Sequence, residues 1–393
     1  MRLLHTSDWH LGRMLHGVDL LDAQRTVLQQ LIKLVAEPPD GTPIGAVLIA
    51  GDIYDRAVPP VEAVTLFADT LAELTRHTTV IVTGGNHDSA IRLGFGSRLF
   101  TDRLQLRTEL SRIGEPVLLT SSTTAEPVAI YPLPYLDPDA ARTALATGDQ
   151  PLPRSHQAVM AAAMDRVRAD LATRTGTRSV VMAHAFVVGG ITSDSERSIA
   201  VGGVDSVAAD TFDGIDYVAL GHLHGAQQPR SRTATVLSYS GSLLRYSFSE
   251  LAQHKSVTLV DLIEGQLPAL QHVAIRQPRE MAELTGTLAE LLAIKGHSED
   301  WVRLTVTDRV RPDRLFDRVK SHFPQVLQVQ HQPAGASPAG TSAATAIVER
   351  RPRELGDDFI SHVTGTPADD TELDLFEQAY QSALSIAATG GGG

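Results

Sequence analysis

Leu4-His5-Thr6-Ser7-Asp8-Trp9-His10-Leu11-Gly12 is the stretch that decides the fold. Residues 2–7 have the short, apolar pattern of a buried strand, so Asp8 and His10 stand just past its carboxyl end. The arrangement recurs down the chain. Residues 46–50, 80–83, 179–183 and 217–220 also read as strands. Asp52 follows the first in Ala50-Gly51-Asp52, and Asn86 and His87 follow the second in Gly84-Gly85-Asn86-His87-Asp88. His184 ends the third, and His222 and His224 follow the fourth in Gly221-His222-Leu223-His224. In α/β sheets, ligands bind in the crevice at the carboxyl ends of strands. Packing alone does not send Asp, His or Asn to that edge from five separate strands.

The elements between these strands support an α/β layered domain with a mostly buried sheet. Residues 20–35 place apolar side chains at helical spacing and end before Pro38-Pro39. Pro59-Pro60 opens a second helix over 61–76, where proline is tolerated in the first turn. Residues 128–132, 236–240 and 256–261 read as further strands. The Glu264-Gly265 turn after the last of these predicts an antiparallel sheet edge. Within 268–332 the pattern is strand (270–275), helix (280–294), strand (301–307), helix (313–322), strand (326–330), which suits a small α+β cap. Residues 333–345 are rich in Ala, Gly, Ser and Pro and read as a flexible linker. Residues 359–363 and 372–384 read as short amphipathic helices, and 390–393 as a glycine tail. The expected division is therefore 1–267 for the catalytic domain, 268–332 for the cap, 333–345 for the linker and 346–389 for C-terminal helices.

Composition narrows the class. With 393 residues, 42% hydrophobic and 20% charged, the chain can bury a full core. It has no apolar run long enough for a bilayer and no secretory leader pattern, which predicts a cytoplasmic protein without a membrane partner. The absence of cysteine rules out disulfides, thiolate metal sites and cysteine nucleophiles. A net charge of 34 − 46 = −12 argues against a generally basic nucleic-acid coat. Any positive charge for DNA must be local, or come from metals or a partner.

Carboxylate, imidazole and amide oxygen without sulfur suit Mn²⁺, Fe²⁺ or Zn²⁺. The donors suffice for two ions, and one carboxylate can bridge them. Taken singly, each residue has an ordinary explanation. A lone histidine is usually a surface residue, Asp after Gly often caps a turn, and Asn commonly sits in one. His222-x-His224 at a strand end is expected to put both rings on one side. Those ordinary explanations would have to hold together at five strand ends in order, which favours a metal site.

The blocks Asp8-x-His10, Gly51-Asp52-x-x-Asp55, Gly85-Asn86-His87-Asp88, His184 and Gly221-His222-x-His224 resemble those of the calcineurin-like metallophosphoesterases. The opening block, Gly51-Asp52-Ile53-Tyr54-Asp55 with Pro59-Pro60, and Gly241-Ser242 followed by Ser247-Phe248-x-Glu250 resemble the SbcD-type nuclease family over residues 1 to about 265. The resemblance implies a four-layer α/β/β/α sandwich and a two-metal mechanism for phosphodiester hydrolysis. One ion, by this likeness Mn²⁺, would be held by Asp8, His10, Asp52 and His224. The second would be held by Asp52, Asn86, His184 and His222, with Asp52 bridging. His87 would stabilise the transition state or protonate the leaving oxygen, and the Asp55 carboxylate would orient it. The family further implies double-strand exonuclease and single-strand or hairpin endonuclease activity in DNA repair, recombination and replication. It also implies a homodimer within a heterotetramer, a cap that places DNA, and C-terminal helices that dock an SbcC-type coiled-coil ATPase. Another phosphatase of the same fold, or an inactive adaptor, are the alternatives. The cap and tail argue against the first, and the intact ligand set against the second.

Overall fold

The structure is a computed structural model that describes residues 1–100, 102–120, 126–199, 206–333, 369 and 371–376. The chain divides into two compact units, residues 1–305 with 313–330, and residues 306–312 with 331–393.

Along the first unit run β1 (Arg2–Thr6), a small hairpin of β2 (Met14–Leu15) and β3 (Val18–Asp19), α1 (Leu21–Ala36), β4 (Ile44–Ala50), α2 (Val61–His77), β5 (Thr79–Thr83), α3 (Ala90–Leu93) and β6 (Leu104–Arg107). Then come β7 (Val117–Leu119), β8 (Val128–Pro132), α4 (Pro138–Ala144), α5 (His156–Leu171), β9 (Arg178–His184), the two-residue pair β10 (Phe186–Val187) and β11 (Ser206–Val207), β12 (Tyr217–Gly221), β13 (Val236–Tyr239), β14 (Ser256–Asp261) and β15 (Ala269–Ala274). Two large sheets result, ordered β15-β14-β1-β4-β5-β6 and β13-β12-β9-β8-β7. In the first, β1, β4, β5 and β6 are parallel, while β14 and β15 add antiparallel. In the second, β8, β9, β12 and β13 are parallel and β7 is antiparallel.

Period-two alternation explains how these strands make layers. Leu4, Val47, Ile49, Val80 and Val82 face α1 and α2, meeting Val27, Leu28, Leu31, Leu66 and Leu74. Their neighbours Leu3, Ala46, Leu48, Ala50 and Ile81 face the second sheet, meeting Val128, Ile130, Val180, Met182 and Ala219. The opposite face of that sheet, with Ala129, Tyr131, Val181, Ala183 and Val218, packs on Val159, Met160, Ala163, Met164 and Val167 of α5. Strands buried on both faces read as near-continuous apolar runs, as these do. The product is an α/β/β/α sandwich, in which each fully buried Leu or Val contributes roughly 1.5–3 kcal/mol.

The last part of this unit differs from the sequence reading. The strand expected at 270–275 is β15, the antiparallel edge of the first sheet, and not the start of a separate cap. Residues 280–294 are not one helix. They form β16 (Met281–Gly286) and then α6 (Leu288–Ala293). Gly286 ends the extended run, and Thr287 opens the helix with a capping box, its side chain taking the Glu290 N–H while Glu290 reaches back to the Thr287 backbone. With β17 (Trp301–Val306), α7 (Leu315–His322) and β18 (Val326–His331), β16 makes a small three-stranded sheet ordered β16-β17-β18. Met281 and Trp301 join the same core as α1 and α2, so this sheet grows out of the main core.

In the second unit the Gln332 N–H meets the Val306 carbonyl at 2.8 Å. Residues 371–376 are helical, with Asp369 Oδ1 accepting from the Thr371 and Glu372 N–H groups at 2.9 and 2.8 Å. That turn overlaps the start of the helix expected over 372–384. The rest of that helix, the one at 359–363, most of the linker and the glycine tail lie outside the described residues.

Candidate metal centre

Backbone ladders that continue past the strand ends place the candidate ligands. Beyond β1 and β4, the N–H groups of Asp8, His10 and Leu11 donate to the carbonyls of Gly51, Asp52 and Ile53 at 3.1, 3.0 and 2.9 Å. The Asp88 carboxylate fastens the loop after β4 to the loop after β5, accepting from Ile53, Tyr54 and Gly85 N–H at 3.0, 2.9 and 2.8 Å. Across the sandwich the His222 N–H donates to Asp8 Oδ1 at 3.1 Å. The Gln24 amide of α1 donates to the His10 carbonyl at 2.7 Å and accepts from the Gly12 N–H at 3.0 Å.

The backbone is strained where it delivers side chains. Asp8, His10, Asp52 and His222 have φ values of 54°, 44°, 50° and 108°. Each such residue costs on the order of 1–3 kcal/mol, and such strain concentrates at functional sites. Close approach does the rest. A Cβ on Gly85 would lie 2.1 Å from Asp52 Oδ1, and one on Gly51 would lie 2.3 Å from His184 Nδ1.

Asp52 sits at the middle. Its Oδ1 accepts the His87 N–H at 2.9 Å. Its Oδ2 lies 3.6 Å from His10 Nε2, 3.4 Å from His184 Nε2 and 3.9 Å from His87 Nε2. On one side, donor atoms of Asp8, His10 and His224 all lie within 4.8 Å of one another, and the Nε2 atoms of His10 and His224 are 3.0 Å apart. On the other, Asp8, Asp52 and His184 form a second such group, with Asn86 Oδ1 2.9 Å from His184 Nε2. The His184 ring donates from Nδ1 to the Ala50 carbonyl at 3.0 Å, so Nε2 is the nitrogen that carries the lone pair once the ring is neutral. His222 stands with its ring 5.4 Å from that of His184. The two rings of His222-x-His224 therefore do not share a side as a pleat would demand. The strand ends at Gly221 and the positive φ of His222 turns the chain, so His222 faces His184 while His224 faces His10.

Charges in the cluster fit a cation site. Burial works against the Asp52 carboxylate, but the His184, His10 and His87 imidazoles outweigh it and hold Asp52 well below the usual range. Burial also disfavours a charged His184, yet Asp52, Asp8 and the Ala50 carbonyl push that ring up to about 9. Burial holds His10 well below its ordinary value and His222 down to about 3, so both are neutral and free to ligate. Burial, with the Asp52 charge nearby, pushes Asp8 up to about 6 and Asp88 up to about 7. Among the candidate ligands, two buried polar atoms, His10 Nδ1 and Asn86 Nδ2, have no hydrogen-bond partner. A crowd of buried oxygens and lone-pair nitrogens without sulfur fits hard or borderline divalent ions.

Asp55 departs from expectation. The group that meets His87 Nδ1, at 2.6 Å, is the Asp55 main-chain carbonyl and not its carboxylate. The carboxylate turns instead toward His10 Nδ1 at 3.8 Å and Arg13 Nη1 at 3.6 Å. The sequence reading missed the supports, namely Gln24, Asp88, Ser195, Glu196 and Glu250. Asp88 and Glu250 lie inside quoted motifs, so a search for buried carboxylates beside ligands would have found them. Gln24 and Ser195 have no local signal.

Relatives point the same way. A family model described as calcineurin-like phosphoesterase matches residues 1–226, and one described as type 5 capsule protein repressor C-terminal domain matches residues 277–383. The SbcD component of the nuclease SbcCD from Staphylococcus epidermidis is 32% identical over 296 residues, 74% of each chain. Its counterpart from Staphylococcus saprophyticus is 30% identical over 375 residues, 93% of this chain and 94% of that one. Family match, sandwich and ligand edge converge: the chain belongs to the calcineurin-like phosphoesterases, in their SbcD branch, and is a metal-dependent phosphodiesterase.

Proposed function

We propose that this chain is the Mn²⁺-dependent nuclease subunit of an SbcCD-type complex, cutting DNA as a double-strand exonuclease and a single-strand or hairpin endonuclease. The observation that carries the reading is the Asp52 carboxylate, whose Oδ2 faces three imidazoles from three strand ends. Asp8, His10, Asp52 and His224 would hold one ion, and Asp52, Asn86, His184 and His222 the other. When bound, the ions supply positive charge to the phosphoryl oxygens and make water a better nucleophile. The chain's own part is orientation and proton handling. A carbonyl only accepts, so the Asp55 carbonyl keeps the His87 proton on Nδ1 and turns Nε2 toward Asp52. From Nε2 a doubly protonated His87 can donate to the departing oxygen. Gln24 and Asp88 hold the ligand loops in place and exclude slack.

The relatives named as parts of SbcCD support an SbcC-type coiled-coil ATPase as partner and DNA as substrate. The acidic net charge of −12 leaves DNA-binding charge to that partner. A homodimer surface is supported by apolar side chains that face solvent: Val61, Ile91, Phe95 and Leu99 are each at least 75% exposed. Arg92 ties their two stretches together by donating to the Ala57 carbonyl at 3.1 Å. We assign 1–267, with the sheet-edge strand β15, to catalysis, the remainder of 268–332 to DNA placement, 333–345 to a linker and 346–389 to docking the ATPase. No helix among the described residues is long and apolar enough to cross a membrane. A cytoplasmic location is part of the proposal.

The deciding experiment incubates the full chain with linear duplex and hairpin DNA, with Mn²⁺, Mg²⁺ or chelator, and with or without an SbcC-type ATPase. Mn²⁺-dependent cleavage enhanced by the ATPase is expected. Hydrolysis of phosphomonoesters without any cleavage of DNA would favour a phosphatase, and no hydrolysis at all would favour an adaptor.

A further inference from the structure

Behind His224 lies an ion pair that is sealed from solvent. Glu250 is 0% exposed and Lys255 is 4% exposed, and Lys255 Nζ meets Glu250 Oε2 at 2.6 Å. Moving both charges out of water costs several kcal/mol per ion, so such a pair is weak evidence for stability. Its placement suggests another use. Glu250 Oε1 lies 3.2 Å from His224 Nδ1, on the face of the ring away from Asp8 and His10. Ser195 Oγ lies 2.7 Å from the same Nδ1 and donates its own proton to Glu250 Oε1. Lys255 also donates to the His224 carbonyl and to Ser242 Oγ, both at 2.9 Å. Glu196 Oε1 accepts the His224 N–H at 2.8 Å.

One placement of the protons satisfies the contacts at His224 Nδ1 together. An ionised Glu250 only accepts, and Ser195 has already given its proton to it. In that placement both groups at Nδ1 take a donor, and the ring carries its proton there. Nε2 is left with its lone pair, aimed at His10 Nε2 3.0 Å away and at the Asp8 group. His184 reaches the same tautomer with a plain carbonyl behind it. The backing at His224 is an anion, which makes the imidazole a stronger donor, and Lys255 keeps that anion ionised in a dry interior.

We infer that Glu250, through Ser195 and with Lys255 as its counter-ion, is a positioning residue that sets the tautomer and donor strength of His224 toward one of the two metal ions. This rests on the metal-centre reading above. It assigns work to the Ser247-Phe248-x-Glu250 motif and to the 193–196 loop, which supplies Ser195 and Glu196.

The test titrates Mn²⁺ calorimetrically into the chelator-stripped full chain, with elemental analysis of the loaded protein and melting of the metal-free protein. Removing the carboxylate alone strands a buried ammonium, so the main variant is Glu250→Gln with Lys255→Met, which removes both charges. Loss of such backing groups costs about 10–100-fold in metal affinity. One of the two ions is expected to weaken by that factor while the other binds as in the wild type. Ser195→Ala, which leaves the ion pair in place, is expected to weaken the same ion by a smaller factor. A purely structural role would instead lower the melting temperature of the metal-free protein and weaken both ions together. Wild-type affinity for both ions in both variants overturns the inference. If the double variant does not fold, Ser195→Ala decides: a change below about twofold overturns it. A wild-type chain that takes up no Mn²⁺ refutes the metal centre itself, a separate failure.

Discussion

Gly85→Ala adds a single carbon at the point where the loops after β4 and β5 meet. The backbone at Gly85 lies outside the left-handed region, so any residue could adopt it and only contact is at issue. The new Cβ would lie 2.1 Å from Asp52 Oδ1 and 2.3 Å from the Asp52 nitrogen. Real Cβ atoms essentially never come closer than 3.0 Å, so 3.0 − 2.1 = 0.9 Å of displacement is the least that is required. The Asp52 side chain cannot swing away freely. Its Oδ1 holds the His87 N–H at 2.9 Å and its backbone is pinned at φ 50°. The loop must open by about 1 Å, and a misplacement of that size costs on the order of 10²-fold in rate. Overpacking of this kind destabilises by roughly 1–3 kcal/mol, which a domain of this size should survive. We expect a folded protein by circular dichroism that hydrolyses bis(p-nitrophenyl) phosphate about 10²-fold more slowly with Mn²⁺ and retains less metal after dialysis. A Gly85→Ala variant with wild-type rate and metal content would mean that Asp52 does not bridge the two clusters, and the geometry of the centre would have to be redrawn.

His87→Gln should keep both ions by elemental analysis and lose about 10²–10⁴-fold in turnover, the usual contribution of a proton donor; loss of metal would make His87 a ligand. Because the Asp55 carbonyl, not its carboxylate, meets His87, Asp55→Asn should change turnover by less than about tenfold, and its effect should add to that of His87→Gln. Marked non-additivity would restore a carboxylate role. Phe95→Glu with Leu99→Glu should convert a dimer to a monomer in sedimentation while leaving hydrolysis of the small diester intact; an unchanged mass would move the dimer surface elsewhere. Truncation near residue 337 should keep that hydrolysis and lose binding of an SbcC-type ATPase, and retained binding would refute docking by the tail.

What was legible in the sequence follows from what is local. A buried parallel strand is a short apolar run, and a polar residue at or just past its end is read by counting, so the positions of Asp8, Asp52, Asn86, His184 and His224 at one sheet edge could be read without coordinates. The helix α5 was not legible in that way. Its buried face is built from Val159, Met160, Ala163, Met164 and Val167, with further small alanines between, so apolar contrast around the helix is weak. At 280–294, local helix propensity overrode two better signals, Gly286 and the Thr287-x-x-Glu290 capping box. The direction of His222 depends on a positive φ that pleat periodicity cannot supply. The Asp55 contact turned on main chain against side chain, which residue identity does not encode. Gln24 and Ser195 act across 14 and 29 positions of sequence on His10 and His224, respectively, so only folding reveals them.

Counting ions tests the central claim most directly. Chelator-stripped wild-type chain and Asp52→Asn are each loaded with Mn²⁺, dialysed and analysed for metal per chain. Two ions in the wild type, with fewer retained and nuclease activity lost in Asp52→Asn, is the expected result. A wild type that binds none, or an Asp52→Asn variant that keeps two ions and full activity, would contradict the account.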